Sequence, residues 1–201
     1  MTLLNPALTA LAGALVLALA LPADAQQTAN IRGTLTGFDG KQLSIKSRDG
    51  RDLNVELPPE VNVNATKPFS LADVKPGMVL GVTTIKRADG ATVAIDVRPI
   101  PPTARQGLSP FDLQPQSTMT NAAMEGTVDT VAGGNELTLN YQSGKIKVLV
   151  PPGTPMSQST PGSRADLKPG EGIFVAVKPG ADGALVATRV QVGRDGVRPT
   201  Q

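Results

Sequence analysis

The chain has 201 residues, of which 19 are basic and 17 acidic, and it contains neither cysteine nor histidine. The lack of Cys and His excludes disulfides, thiolate chemistry and imidazole metal ligands within this chain. The formal net charge of +2 provides no strong field for a nucleic acid or a membrane surface.

The first 25 residues have the pattern of a secretory signal peptide. Residues 7–21 are almost wholly apolar, Pro22 ends the run, and Ala23-Asp24-Ala25 is a small-x-small cleavage site. The run is shorter than the ~20 residues that a membrane-spanning helix needs. Because no Lys or Arg precedes it, an uncleaved N-terminal anchor is the alternative. We therefore expect a periplasmic or secreted protein with no membrane span after cleavage.

The next segment predicts three short strands joined by tight turns. Apolar side chains alternate with polar ones from Ile31 onwards, which is typical of a strand with one buried face. Asp39-Gly40 and Asp49-Gly50 are strong hairpin signals, since Gly adopts positive φ at little cost. Pro58-Pro59 ends the third strand because proline cannot donate to a sheet ladder.

A short helical turn and two further strands follow. Ser70 and Asp73 have the spacing of a capping box, and Lys75-Pro76-Gly77 ends the turn. Residues 78–85 are apolar on both faces, as expected of a strand covered on both sides. Residues 93–97 alternate again and predict a fifth strand.

The segment Asp73-Val74-Lys75-Pro76-Gly77 recurs as Asp166-Leu167-Lys168-Pro169-Gly170, at a spacing of 166 − 73 = 93 residues. Such self-similarity predicts that the second half repeats the strand order of the first half. The same spacing relates Gly33-Thr34 to Gly126-Thr127, Pro58-Pro59 to Pro151-Pro152, Ser70 to Ser163, and Asp89-Gly90 to Asp182-Gly183.

Three hairpin-linked strands, a helical turn and two more strands are the order of a small OB-type barrel. The predicted fold is therefore all-β, with two tandem five-stranded OB-like barrels that each carry a short helical turn between strands 3 and 4. The predicted segments are a signal peptide (1–25), a first barrel (26–97), a Pro-rich linker (98–122), a second barrel (123–193) and a C-terminal tail (194–201). The alternatives are two open five-stranded meanders, or strands exchanged between the halves.

Several motifs resemble a family of bacterial periplasmic β-barrel domains of unknown function. The Gly-Thr start, the Asp-Gly hairpin and the Asp-Leu-Lys-Pro-Gly segment carry the likeness. Further stretches are similar to a two-repeat branch often labelled "metal ABC transporter permease": Ser70-Leu71-Ala72-Asp73, residues 117–122, residues 187–190 and residues 192–197. The resemblance implies an exported barrel protein. A permease needs several apolar spans, and this chain has one short run.

The sequence argues against an enzyme. It contains no Ser-x-x-Lys, no Gly-x-Ser-x-Gly elbow and no Gly-rich phosphate loop. One Tyr, four Phe and no Trp leave little for a base-stacking surface, so we expect no nucleic-acid partner. We expect a non-catalytic binding or scaffolding protein without a cofactor, whose partner is a protein or an envelope component.

Three residues are candidates for binding. Phe111 is a large apolar residue in a polar linker, and such a group usually docks onto a neighbouring domain. Met78 and Glu171 occupy corresponding positions of the two halves and differ in chemistry. The alternative function is metal handling, in which the soft thioethers of Met78 and Met124 bind Cu(I) at one barrel mouth. Scattered core and loop methionines are the simpler interpretation.

Overall fold

The computed structural model describes residues 28–200, and the predicted signal peptide lies outside them. The described chain is all-β, with three short 3₁₀ turns at Leu71–Asp73, Arg164–Asp166 and Ala181–Gly183. Within this range no helical segment is long and apolar enough to cross a membrane. The strands of the first part are β1 (Ala29–Phe38), β2 (Gln42–Ser47), β3 (Asp52–Glu56), β4 (Val63–Pro68), β5 (Val79–Lys86), β6 (Thr92–Pro99) and β7 (Gly107–Pro110). Those of the second part are β8 (Thr118–Met124), β9 (Asp129–Val131), β10 (Gly134–Tyr141), β11 (Gly144–Val150), β12 (Ser157–Pro161), β13 (Gly172–Pro179) and β14 (Leu185–Gly193).

The turns follow from local chemistry. Gly40 adopts φ 99° between β1 and β2, and Gly50 adopts φ 86° between β2 and β3. In the first 3₁₀ turn the Asp73 carboxylate accepts hydrogen bonds from the backbone N–H of Ser70 (3.0 Å) and from its hydroxyl (2.8 Å). Asp166 accepts the same two hydrogen bonds from Ser163 in the second turn. These side chains satisfy backbone groups that a short turn leaves without partners.

The first sheet has the strand order β12-β4-β14-β13-β1-β2-β3, and a parallel pairing of β14 with β3 joins its two sides. Five strands therefore close into a barrel: β1, β2 and β3 from the first half of the chain, with β13 and β14 from the second. The barrel interior is a cluster of buried aliphatic side chains that includes Leu35, Leu43, Ile45, Val175 and Val190.

The second sheet has the order β7-β8-β5-β6-β11-β10-β9, with a further pairing between β8 and β10. The pairings run from β8 to β5, β6, β11 and β10 and return to β8, so these five strands close into a second barrel. Its strands β5 and β6 come from the first half of the chain, and β8, β10 and β11 come from the second. Residues 79–84 of β5 are all buried, as the apolar pattern on both faces of this strand predicts. Its core cluster includes Leu80, Val82, Leu137, Leu139 and Val148.

The pairing corrects the expected domain division. Residues 26–97 and 123–193 do not form one barrel each, because each half supplies strands to both sheets. Of the three arrangements that the sequence allows, this is the exchange of strands between the halves. The chain leaves the first barrel through β4, which pairs with β12 and β14, and β5 then enters the other sheet.

Strands β4 and β12 pair with a symmetric register. Thr66 lies opposite Ser159, which is 159 − 66 = 93 residues later, and Ala65 and Lys67 lie opposite Thr160 and Gln158. Thr66 thus faces the residue 93 positions later, and the same shift converts the pair Ala65–Thr160 into the pair Gln158–Lys67. This register is the geometry of a local two-fold axis.

The segment predicted as a linker, 98–122, is also corrected. It contains the end of β6, all of β7 and most of β8, and β8 pairs with β5 along six residues. The first strand of the second half therefore begins at Thr118, earlier than the Gly-Thr match indicated.

The Gly-Thr match itself does not join equivalent positions. Gly33 lies inside β1, where a Cβ would come within 2.2 Å of the Lys46 carbonyl oxygen. Gly126 lies in the loop between β8 and β9, with φ 71° and open space around it. One glycine permits a close strand approach and the other permits a turn, so the two share residue type for different reasons.

Candidate functional site

The candidate site lies where the two barrels meet, and it begins with two charged residues on β6. Asp96 and Arg98 flank Val97, whose side chain is in the barrel core. By strand alternation they point to the opposite face, where charged side chains are normally solvated. Here that face is covered, since Asp96 is 1% exposed and Arg98 9% exposed.

Thr200, near the C-terminus, completes a buried hydrogen-bonded group with these residues. Arg98 Nη1 donates to Asp96 Oδ2 (2.8 Å) and to Thr200 Oγ1 (3.2 Å), and Thr200 Oγ1 donates to Asp96 Oδ1 (2.9 Å). Burial raises the pKa of Asp96 and lowers the pKa of Arg98 to about 10, each against the attraction of the other. Desolvation thus outweighs attraction at both groups, as is common for buried ion pairs.

Arg32 on β1 connects this group to the segment around Phe111. Its guanidinium forms two hydrogen bonds with Asp112, at 2.7 and 3.1 Å, and donates through Nε to the Thr200 carbonyl at 2.7 Å. The same guanidinium lies 5.6 Å from the Phe111 ring centre and 5.2 Å from that of Phe174. The structure therefore places Phe111 against β1, and its half-buried ring contacts a cation rather than an apolar cavity.

A second arginine, Arg189 on β14, lies over the Phe174 ring at 5.0 Å. Burial, and then repulsion from Arg32, lowers the pKa of Arg189. Among the side chains that the structure describes, no carboxylate forms an ion pair with Arg189. The junction thus holds the guanidinium groups of Arg32, Arg98 and Arg189 against the carboxylates of Asp96 and Asp112. Arg48 is also near enough to repel Arg32 and attract Asp96.

Arg98 and Arg189 line one groove of about 250 Å³ between the barrels. The symmetric β4–β12 pair forms part of its wall through Thr66 and Ser159. Hydroxyl and amide side chains supply further hydrogen-bond donors, and none of the described Asp or Glu residues lines the groove. The complete lining is Asn64, Thr66, Arg98, Pro99, Ile100, Pro101, Ser157, Ser159, Arg189, Gln191 and Thr200.

The sequence-based site residues occupy other places. Met78 and Met124 are adjacent, since the Met124 N–H donates to the Met78 carbonyl at 2.8 Å. Both pack in the apolar cluster of the second barrel, where Met124 is 2% exposed. Glu171 lies beside the first barrel, where its carbonyl accepts from the Leu35 N–H. The structure thus brings the two methionines together and leaves Glu171 and Phe111 elsewhere.

Sequence reasoning missed Asp96, Arg98, Arg189 and Thr200. The available signal was the pair of charged residues on the outer face of the fifth strand, which alternation assigns to solvent. Among residues 28–200 no group of three or more His, Cys, Asp or Glu side chains has the arrangement of a metal site. No protein family, curated protein or solved structure matches this chain.

Proposed function

We propose that the protein is an exported, non-catalytic binding protein of the bacterial envelope that holds an anionic group in the groove between its barrels. One observation carries the proposal: Arg98 and Arg189 line a groove that contains hydroxyl and amide groups and, among residues 28–200, no Asp or Glu side chain. Guanidinium groups present planar, fixed donors that match phosphate and carboxylate oxygens.

The two arginines have different roles in this proposal. Arg98 already donates to Asp96, Thr200 and the Met119 sulfur, so it contributes charge more than free donors. Arg189 makes no side-chain hydrogen bond to the rest of the described chain, and its guanidinium lies over the Phe174 ring at 5.0 Å from the ring centre. We infer that Arg189 is the direct ligand of the anion and that Arg98 supports it electrostatically.

A nuclear magnetic resonance titration with inorganic phosphate tests the proposal. We expect amide shifts to concentrate on the groove strands β4, β12 and β14, and to disappear in Arg189→Ala. Arg189→Lys keeps the charge without the planar fork and should bind more weakly than the parent protein. Arg87→Ala is the matched control, because Arg87 lies in an exposed hairpin and pairs only with Asp89. Equal shifts in Arg189→Ala and the parent protein would contradict the proposal.

The export part of the proposal rests on the signal-peptide pattern and on the resemblance to periplasmic barrel domains. Cleavage after Ala25 would leave Gln26 as the first residue of the mature protein. Mass spectrometry of the periplasmic fraction measures this directly. A full-length protein retained in the membrane fraction would instead support the uncleaved anchor.

A further inference from the structure

The groove continues past the two arginines onto an apolar ledge. A second concavity of about 380 Å³ shares Asn64, Pro99, Ile100, Pro101 and Ser159 with the groove and adds Thr160 and Pro161. None of these seven residues is charged. The groove therefore has a cationic end at Arg98 and Arg189 and a mostly non-polar end at the three prolines and Ile100.

The ledge is held in place by its backbone. The Ile100 N–H donates to the Val79 carbonyl at 2.9 Å, and the Pro101 carbonyl accepts from the Ala104 N–H at 2.9 Å. Gly81 makes room for this arrangement, since a Cβ there would lie 3.2 Å from the Ile100 Cγ2 atom. Pro101 and Pro161 are exposed and Ile100 is half-buried, so the apolar surface is both fixed and accessible. A preformed surface of this kind lowers the ordering cost of binding.

We propose that the ligand is an amphipathic anion, in which a phosphate or carboxylate group is joined directly to a compact apolar ring. This inference rests on the proposed function, because the anionic group occupies the site of Arg189. The ring then lies on the ledge of Pro99, Ile100, Pro101 and Pro161. Charge complementarity with the two arginines fixes which end of the ligand carries the anionic group. Because the two concavities are continuous, a ring joined directly to that group reaches the ledge. Together they have the size of a small-ligand site.

Titrations of the mature protein with three probes test the inference: inorganic phosphate, phenyl phosphate and butyl phosphate. We expect phenyl phosphate to bind about tenfold more tightly than inorganic phosphate, from burying roughly 60 Å² of ring surface. Butyl phosphate should fall between them, because a flexible chain loses rotational freedom on the ledge.

Two ledge variants, Ile100→Ala and Pro161→Ser, should each remove the advantage of phenyl phosphate over inorganic phosphate. Because Pro161 lines the second concavity and not the groove, Pro161→Ser should also leave the affinity for inorganic phosphate unchanged. Pro161 is exposed, so its replacement does not depend on the stability of the barrel. Leu108→Ala is the control, since Leu108 is 45% exposed on β7, outside both concavities.

The outcomes separate the two proposals. Equal affinities for phenyl phosphate and inorganic phosphate, both lost in Arg189→Ala, would overturn the amphipathic ligand and leave the anion site intact. Tighter phenyl phosphate binding that survives both ledge variants would also overturn it, because the ring would then lie elsewhere. Failure of every probe to bind would overturn the anion site itself and this inference with it.

Discussion

Replacing Asp96 with Asn tests whether the junction between the barrels depends on its buried ion pair. Asp96 is 1% exposed and accepts from Arg98 Nη1 at 2.8 Å and from Thr200 Oγ1 at 2.9 Å. The substitution keeps the shape of the side chain and removes its charge. The Arg98 guanidinium, whose side chain is 11% exposed, then stays buried without the carboxylate that it pairs with in the parent protein.

The expected loss of unfolding free energy follows from the cost of an uncompensated buried charge. Breaking such a pair by removing one partner costs about 3–5 kcal/mol. We expect a value near the lower limit, about 3 kcal/mol, because the Asn carbonyl still accepts a hydrogen bond. That is a large share of the ~5–15 kcal/mol that a domain of ordinary stability has in total.

Urea denaturation followed by far-ultraviolet circular dichroism measures the loss, and the midpoint should fall by about 1 M or more. Asp89→Asn is the matched control, since Asp89 pairs with Arg87 in the same chemistry on an exposed hairpin. We expect the control to leave the midpoint unchanged. A loss below about 1 kcal/mol for Asp96→Asn would show that solvent or a rearranged partner already compensates Arg98, and would refute the reasoning.

Four further predictions address the fold. Gly33→Ala should lower the free energy of unfolding by about 1–3 kcal/mol, because the new Cβ meets the Lys46 carbonyl. Gly37→Ala on the same strand should lower it less, since the nearest atom to its Cβ lies at 3.7 Å. Urea denaturation measures both. Met124→Ala should lower the free energy of unfolding by about 2–5 kcal/mol in the same assay, because Met124 packs in the core. Cu(I) binding by the parent protein that is lost in Met124→Ala would contradict a role in packing alone. The pKa of Asp112 is lowered, first by its hydrogen bond from Arg32. The ion pair therefore stabilises the docked segment fully above the ordinary pKa of 3.8, and this stabilisation is lost as pH falls through the lower pKa of the folded state. Hydrogen-exchange protection of residues 107–118 should therefore decrease below pH 3.8, while that of residues 93–97 persists. Finally, the chain can be divided in an exposed turn into fragments 26–102 and 103–201. The fragments should co-purify when expressed together, because both barrels need strands from both fragments. Two separately folded monomers would contradict the exchange of strands.

Local features of the fold could be predicted from the sequence because a few neighbouring residues determine them. Positive φ at Gly40 follows from the Asp-Gly turn, and the hydrogen bonds from Ser70 to Asp73 follow from their spacing. The burial of β5 on both faces follows from a run without charged residues before Lys86, in which apolar side chains occupy both faces. The all-β class was accessible for the same reason, whereas β4, β7 and β12 lie in segments that the sequence pattern assigned to connections or to the linker.

The partners of those strands were decided only by the tertiary structure. Both halves present similar alternating faces, so β13 and β14 complete the barrel of β1–β3 as well as β5 and β6 would, and the local pattern cannot distinguish the two pairings. The candidate site depends on this exchange. Alternation places Asp96 and Arg98 on the outer face of a strand, and whether that face meets water or a second barrel depends on contacts from distant residues such as Thr200. The sequence by itself determined the tight turns and the strands with an alternating or apolar pattern, through short-range sterics and periodicity. The junction, its surplus of positive charge and the groove exist only because long-range pairing brings both halves together.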